Sequence, residues 1–154
     1  MPAVHPAFQC VVISPSGKIL DCIATSVVFP AHDGEVGIWY NHIPMLCKLG
    51  MGVMKIIRAS SDVDTLPDVV FLLIDGGFAL LAANVLTIIA FDAISPRDTK
   101  AEKIQRIVER TEKLASGDVT IEQRRHHLKK ISLLRQLAQR GHREETVEAT
   151  DKES

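Results

Sequence analysis

Aromatic residues make up only 5% of this 154-residue chain, and none follows Phe91. That scarcity bears on nucleic acid, because single-strand binders stack bases on aromatic side chains set among basic ones. The basic part of this chain has no such partners. Cysteine is sparse too. Cys10, Cys22 and Cys47 lie in apolar runs without the CxxC spacing of a zinc or redox centre, so they are expected to be buried free thiols in a reducing compartment. No charged start leads into a long apolar segment, so neither a secretory signal nor a membrane span is read. A glycine-rich phosphate cradle is missing, as is a serine or cysteine nucleophile beside a base, and no catalytic residue is expected.

What is present is a soluble globular composition, 46% hydrophobic and 24% charged, long enough for one ordinary domain or two small ones. The formal net charge of −1 argues against wholesale nucleic-acid or membrane-surface binding. It conceals a polarity along the chain. Residues 1–92 carry 4 Lys and Arg against 8 Asp and Glu, whereas residues 93–154 carry 14 against 11. Within 119–143, Arg124, Arg125, Lys129, Lys130, Arg135, Arg140 and Arg143 face only Glu122, a local +6, and residues 144–154 swing back to −4.

From Phe8 to Asp92 short apolar runs rich in Val, Ile and Phe read as strands, at 8–13, 19–29, 36–40, 51–58, 69–74, 78–82 and 85–91. Turn residues separate them, among them Ser14-Pro15-Ser16-Gly17, Asp75-Gly76-Gly77 and Ala83-Asn84. About seven strands at this spacing predict a β-sandwich or flattened barrel. Alternation is incomplete over Val69–Ile74, so some strands are expected to be covered on both faces.

At Ser95-Pro96-Arg97-Asp98 the texture changes. Ala101, Ile104, Ile107, Val108, Thr111, Leu114 and Ala115 form a helical stripe, started by Ser95 with Pro96 or by Asp98. Gly117 is expected to close that helix in the left-handed conformation. Thr120 and Gln123 have capping-box spacing for a second helix, with an apolar stripe of Ile121, Leu128, Ile131, Leu134, Leu137 and Ala138. Two helices of similar length across a short loop predict an antiparallel hairpin. The fold expected is α+β: a sandwich over 1–94, a hairpin over 95–143, and a charged, disordered tail over 144–154.

The segment Asp33 to Leu46 crowds acid, glycine, histidine and proline between strand-like runs, and reads as a contact loop. His32, Asp33, Glu35 and His42 are the chain's candidate metal-ligand cluster, and a β-barrel metalloenzyme would use His32, Glu35 and His42. Their spacing lacks the paired histidines such barrels use, so no metal is expected. The basic second helix has two readings, a solvated face or a field that attracts an acidic partner. A nucleic-acid binder remains the alternative for that helix, opposed by the missing aromatics.

Five pieces in order then carry a resemblance: Gly34-Glu35-Val36-Gly37-Ile38; His42-Ile43-Pro44-Met45-Leu46; Gly50-Met51-Gly52; Asp75-Gly76-Gly77-Phe78; and Ala83-Asn84-Val85-Leu86-Thr87-Ile88. With Gly117-Asp118-Val119 at the hairpin tip, the chain resembles, over residues 7–140, the epsilon subunit of the F-type proton-translocating ATP synthase, called delta in mitochondria. The resemblance implies a ten-stranded flattened sandwich and a helical hairpin in a non-catalytic subunit of the rotor's central stalk. It implies a sandwich bound to the gamma subunit, and loops touching the c-ring through Glu35 and His42. It also implies a hairpin whose Arg124, Arg125, Lys129, Lys130, Arg135 and Arg140 meet an acidic segment of the beta subunits in the alpha/beta head and restrain ATP hydrolysis. The setting implied is the cytoplasmic face of a bacterial inner membrane, held there through the complex. Two departures stand out. Asn41 replaces the glycine that precedes the family histidine, and asparagine tolerates positive φ. Many bacterial members bind ATP through an aspartate with an arginine three residues on. Here Asp98 alone matches, unless a one-residue shift puts Lys100 in the arginine's place, and no cofactor is expected.

Overall fold

The computed structural model describes residues 6–60, 67–95 and 101–150, with side chains described only to 139 and not for 101. Asp98 and Lys100 therefore lie outside the described residues, and Arg140 is described in backbone alone. The chain divides into two compact units, Met1–Ile94 and Ser95–Ser154.

Among the described residues, seven strands build the first unit. They are β1 (Phe8–Ser14), β2 (Gly17–Ala31), β3 (Gly34–Trp39), β4 (Met45–Arg58), β5 (Val69–Ala82), β6 (Val85–Ala90) and β7 (Ala93–Ile94). Their order is β1-β6-β5-β4-β2-β3, with β7 on β5, and a further β1–β2 pairing closes the first five into a ring. Among these pairs all are antiparallel except β1–β6, which is parallel. β2, β4 and β5 run for 14 or 15 residues and serve both layers. Taken as two segments each, they account for the ten strands that the resemblance implies.

Long strands can pass from one layer to the other only where the ladder yields. β2 shifts register against β4 between Ala24 and Ser26 and again between Val28 and Ala31. On β5 the yielding point is Asp75-Gly76-Gly77, which had read as a turn. Its flanks stay paired with β4 throughout, so the two glycines form a bend inside one strand, at φ of 72° and 125°. Only glycine enters that region at little steric cost.

Alternation puts Phe8, Cys10, Val12, Phe29, Ile38, Met54, Ile56, Leu72, Ile74, Leu81, Leu86 and Ile88 inside, each at most 2% exposed. Burying each large side chain contributes roughly 1.5–3 kcal/mol. Leu72, Leu73 and Ile74 are all buried, as the missing alternation there predicts.

The second unit is α1 (Ala101–Ser116) and α2 (Ile121–Thr150). Ile104, Val108, Thr111 and Ala115 of α1 and Ile131, Leu134 and Leu137 of α2 are buried. The capping box forms as read: Gln123 N–H donates to Thr120 Oγ1 at 3.3 Å and Thr120 N–H to Gln123 Oε1 at 3.0 Å. Three expectations change. Gly117 is not left-handed. The end of α1 is satisfied by Gly117 N–H donating to the Leu114 carbonyl and by the Ser116 hydroxyl donating to the Glu112 carbonyl at 2.7 Å. Leu114, Ile121 and Leu128 are 51%, 81% and 56% exposed. Leu128 and Ile121 lie about 120–140° round the helix from Leu134 at 3.6 residues per turn, off the face that meets α1. Finally, α2 continues through Gly141 to Thr150 where a charged tail was expected from residue 144. Arg143, Glu144, Glu145 and Glu148 are helix-compatible residues, and an interior glycine costs only about 1 kcal/mol.

Candidate interaction surfaces

The loop after β3 is held by two asparagines. Asn41 has φ 58° and Asn84 has φ 58°, so each turns the chain through the left-handed region that Asn tolerates. They then grip each other: Asn41 N–H donates to Asn84 Oδ1 at 2.7 Å, and Asn84 Nδ2 to Asn41 Oδ1 at 3.1 Å. The loop from Tyr40 to Pro44 is thereby fixed to the β5–β6 turn. His42 N–H donates to the Trp39 carbonyl and its Nδ1 lies 2.8 Å from the Ile43 carbonyl. Trp39, Tyr40 and Ile43 are exposed around it, Ile43 at 74%.

Glu35 sits elsewhere. It pairs with Pro30 beside the exposed turn His32-Asp33, whereas His42 follows the opposite end of β3. Four residues of strand from Glu35 to Trp39 span about 13 Å at 3.3 Å per residue. Glu35 and His32 are neighbours and His42 is not with them. Among the described residues no group of three His, Cys, Asp or Glu is placed to hold a metal ion, which removes the arrangement the metalloenzyme reading needs.

A larger surface escaped the sequence reading. Leu46 of β4 pairs with Leu80 of β5, Phe78 with Ile89 of β6, and Ile89 with Ile13 of β1. All five point outward and are exposed, as are Val85 and Phe91. The Phe91 ring meets Phe78 edge-on with centroids 6.1 Å apart. Polar groups border this face: Lys48 opposite Phe78, and Asp21 opposite Val11. Hydrogen bonds from Lys18, at 2.9 Å, and from Gln9, at 3.1 Å, hold the Asp21 carboxyl below its ordinary value. The signal for this face was in the sequence, since Phe78–Ala82 is apolar on both sides of the alternation and Val85–Ala90 is so except at Thr87. A contiguous apolar face with a polar rim marks a protein contact more often than solvent.

The basic residues of α2 do not share one face. Arg124, Arg125 and Lys129 are exposed, but Arg125 and Lys129 lie about 100° and 140° round from Arg124, and Lys130 about 120° the other way. Arg135 is engaged: its Nη2 meets Glu112 Oε1 of α1 at 2.6 Å. The exposed Leu128 and Ile121 lie between these cations, so the outer surface of α2 is a mixed basic and apolar one.

Sequence comparison decides what carries these surfaces. Residues 7–96 match the profile of the ATP synthase delta/epsilon chain β-sandwich domain. The chain belongs to the ATP synthase epsilon family. It is 28% identical to the ATP synthase epsilon chain of Dichelobacter nodosus over 86% of this chain and 91% of that one. It is 36% identical to that of Lactobacillus helveticus over 69% and 70%. In fold it is similar to a chain of the Tetrahymena thermophila mitochondrial ATP synthase, solved as central stalk and c-ring. There the TM-score is 0.55 with 16% identity, over 84% of this chain and 95% of that one. A chain of the Euglena gracilis mitochondrial ATP synthase gives a TM-score of 0.58, also at 16% identity, over 85% and 78%. The epsilon-family motifs map onto the geometry: Asn84 and the loop of His42 meet at one end, joined by Asn41 where the family has glycine, and Gly34-Glu35 begins β3 at the other.

Proposed function

We propose that the chain is a non-catalytic rotor subunit of an ATP synthase central stalk, linking proton flow through the c-ring to ATP synthesis. The observation that carries this reading is the outward apolar face of Leu46, Phe78, Leu80, Ile89 and Phe91, present in a chain of the epsilon family. Its occupant is the gamma subunit, whose apolar surface would bury it. The sandwich rests on the c-ring. Glu35, beside the His32-Asp33 turn, and His42, beside Trp39 and Ile43, meet the polar loops of the ring from the two ends of β3. Membrane attachment is through the complex, on the cytoplasmic side in a bacterium.

The hairpin restrains ATP hydrolysis. Arg124, Arg125 and Lys129, together with Lys130 and Arg140, meet an acidic segment of the beta subunits, and Leu128 adds apolar contact. Arg135 joins them only by leaving Glu112.

Affinity purification of the tagged chain from detergent-solubilised membranes tests the reading, with gamma and c subunits expected among the retained proteins. Phe78→Glu with Leu80→Glu should remove gamma while leaving the purified chain folded, since both side chains are exposed. Undiminished recovery of gamma with this variant would exclude the face as the contact.

A further inference from the structure

The three cysteines are all free thiols, but they are not equivalent. Cys10 of β1 and Cys22 of β2 stand directly opposite each other in the antiparallel ladder. Cys10 is fully buried in the sandwich interior, and Cys22, partly buried, packs against the same core. Cys47 has Ala79 opposite it instead. Directly opposed residues on one sheet face have Cβ atoms about 4.5–5.5 Å apart. A disulfide requires Cα atoms about 4.4–6.8 Å apart and Cβ atoms about 3.5–4.5 Å apart. The register supplies nearly the whole of that geometry, leaving a closure of about 1 Å or less.

The surroundings distinguish the two sulfurs. Cys22 is the reachable one, and the Arg58 guanidinium of β4 lies beside it. Burial pushes the Cys22 thiol up, and that neighbouring positive charge opposes the push. Arg58 Nη1 is committed to Asp68 Oδ2 at 3.1 Å, while its Nε is buried without a hydrogen-bond partner among the described residues. Arg58 thus keeps a donor that Asp68 does not use. Cys10 has no such aid, and burial with the nearby Cys22 and Asp21 drives its thiol up to about 12.

We propose that Cys10 and Cys22 form a dithiol site that hydrogen peroxide converts to an intramolecular disulfide, with Cys22 reacting first. The Cys22 thiolate attacks one peroxide oxygen; the O–O bond breaks and, after protonation, one water leaves a sulfenic acid. The Cys10 sulfur then attacks the Cys22 sulfur; the S–O bond breaks, and the departing hydroxide takes the Cys10 proton as a second water. Two thiols lose two electrons and two protons, and the peroxide is reduced to two waters. The bond fastens β1 to β2 near the ring closure and removes the sulfur that answers Arg58.

The test uses the full chain exposed to hydrogen peroxide, alkylated under denaturing conditions, digested and read by mass spectrometry. The expected product is a Cys10–Cys22 linked peptide pair lacking two hydrogens, reversed by a thiol reductant, with Cys47 alkylated. Titratable thiols fall from three to one per chain, and the oxidised protein melts at a higher temperature than the reduced one. Cys47→Ser should form the same link, and Cys22→Ser should not. Three alkylated thiols after an exposure that oxidises free cysteine would overturn the proposal. So would a Cys22 sulfinic acid with Cys10 still alkylated. Cys10→Ser should also lose the link, and Cys10→Ala serves as the second variant should the serine fail to fold.

Discussion

Gly77 is the residue on which the bend of β5 depends. Its φ is +125°, and a side chain there would collide with the Ile89 carbonyl and lie 2.8 Å from Ala90 Cα. Gly77→Ala is expected to cost more than about 2 kcal/mol, from backbone strain of about 1–3 kcal/mol together with the collision. Urea unfolding of the purified chain measures it. Ala83 presents the converse case, an alanine held at φ 49° in the tight turn before Asn84. The left-handed conformation costs a non-glycine residue roughly 1–2 kcal/mol, so Ala83→Gly should stabilise the sandwich by about 0.5–1 kcal/mol after the entropy of the unfolded glycine is deducted. Cys10 gives a pH prediction. Its thiol is raised from 9.0 to about 12 by burial. The unfolded chain therefore releases this proton first, so the stability is fully present below pH 9 and is lost as pH rises towards 12. Denaturant midpoints measured from pH 8 to 11 should fall with pH, and Cys10→Val should fall less.

Elements were more legible than their faces. Six of the seven strands, β5 as two runs, and both helices could be read because period-two and helical spacing are local properties, whereas the two residues of β7 are too few to show a period. Asp75-Gly76-Gly77 was misread because a turn and an in-strand bend use the same glycine chemistry, and only the partner strands distinguish them. Leu128 and Ile121 were misread because seven-residue spacing satisfies a helical stripe without saying which stripe meets α1. The separation of Glu35 from His42 depends on β3 being extended between them, which nearness in sequence conceals. Arg135 belonged to the basic count, and nothing local indicated that Glu112 would hold it. Two measurements follow at this scale. Thr120→Ala removes half of the capping box and is expected to destabilise α2 by about 0.5–2 kcal/mol, seen as lower helicity and earlier melting of the helical signal. The Glu112–Arg135 pair is partly exposed, so a double-mutant cycle with Glu112→Gln and Arg135→Gln should return no more than about 1 kcal/mol.

For the whole molecule, the two units predict separable functions. Ending the chain after Ser95 keeps β7, whose Ile94 pairs with Leu73 of β5, and removes the helices. This truncated chain should fold, assemble with gamma and the c-ring, and raise the ATP hydrolysis rate of the complex severalfold. A rate equal to that of the intact enzyme would locate the restraint outside the hairpin. Ring closure through β1 has an effect of its own. With β1 paired on both sides, the outer boundaries of the β-structure among the described residues are β3, of six residues, and β7, of two. Short edges, one of them bearing an outward glutamate at position 35, offer a poor template for further strands. The fold is thus guarded against edge-to-edge growth into fibrils or mispaired dimers, a hazard for any sheet protein synthesised in excess of its partners. Glu35→Val would remove that guard and should show itself as concentration-dependent light scattering in the isolated chain.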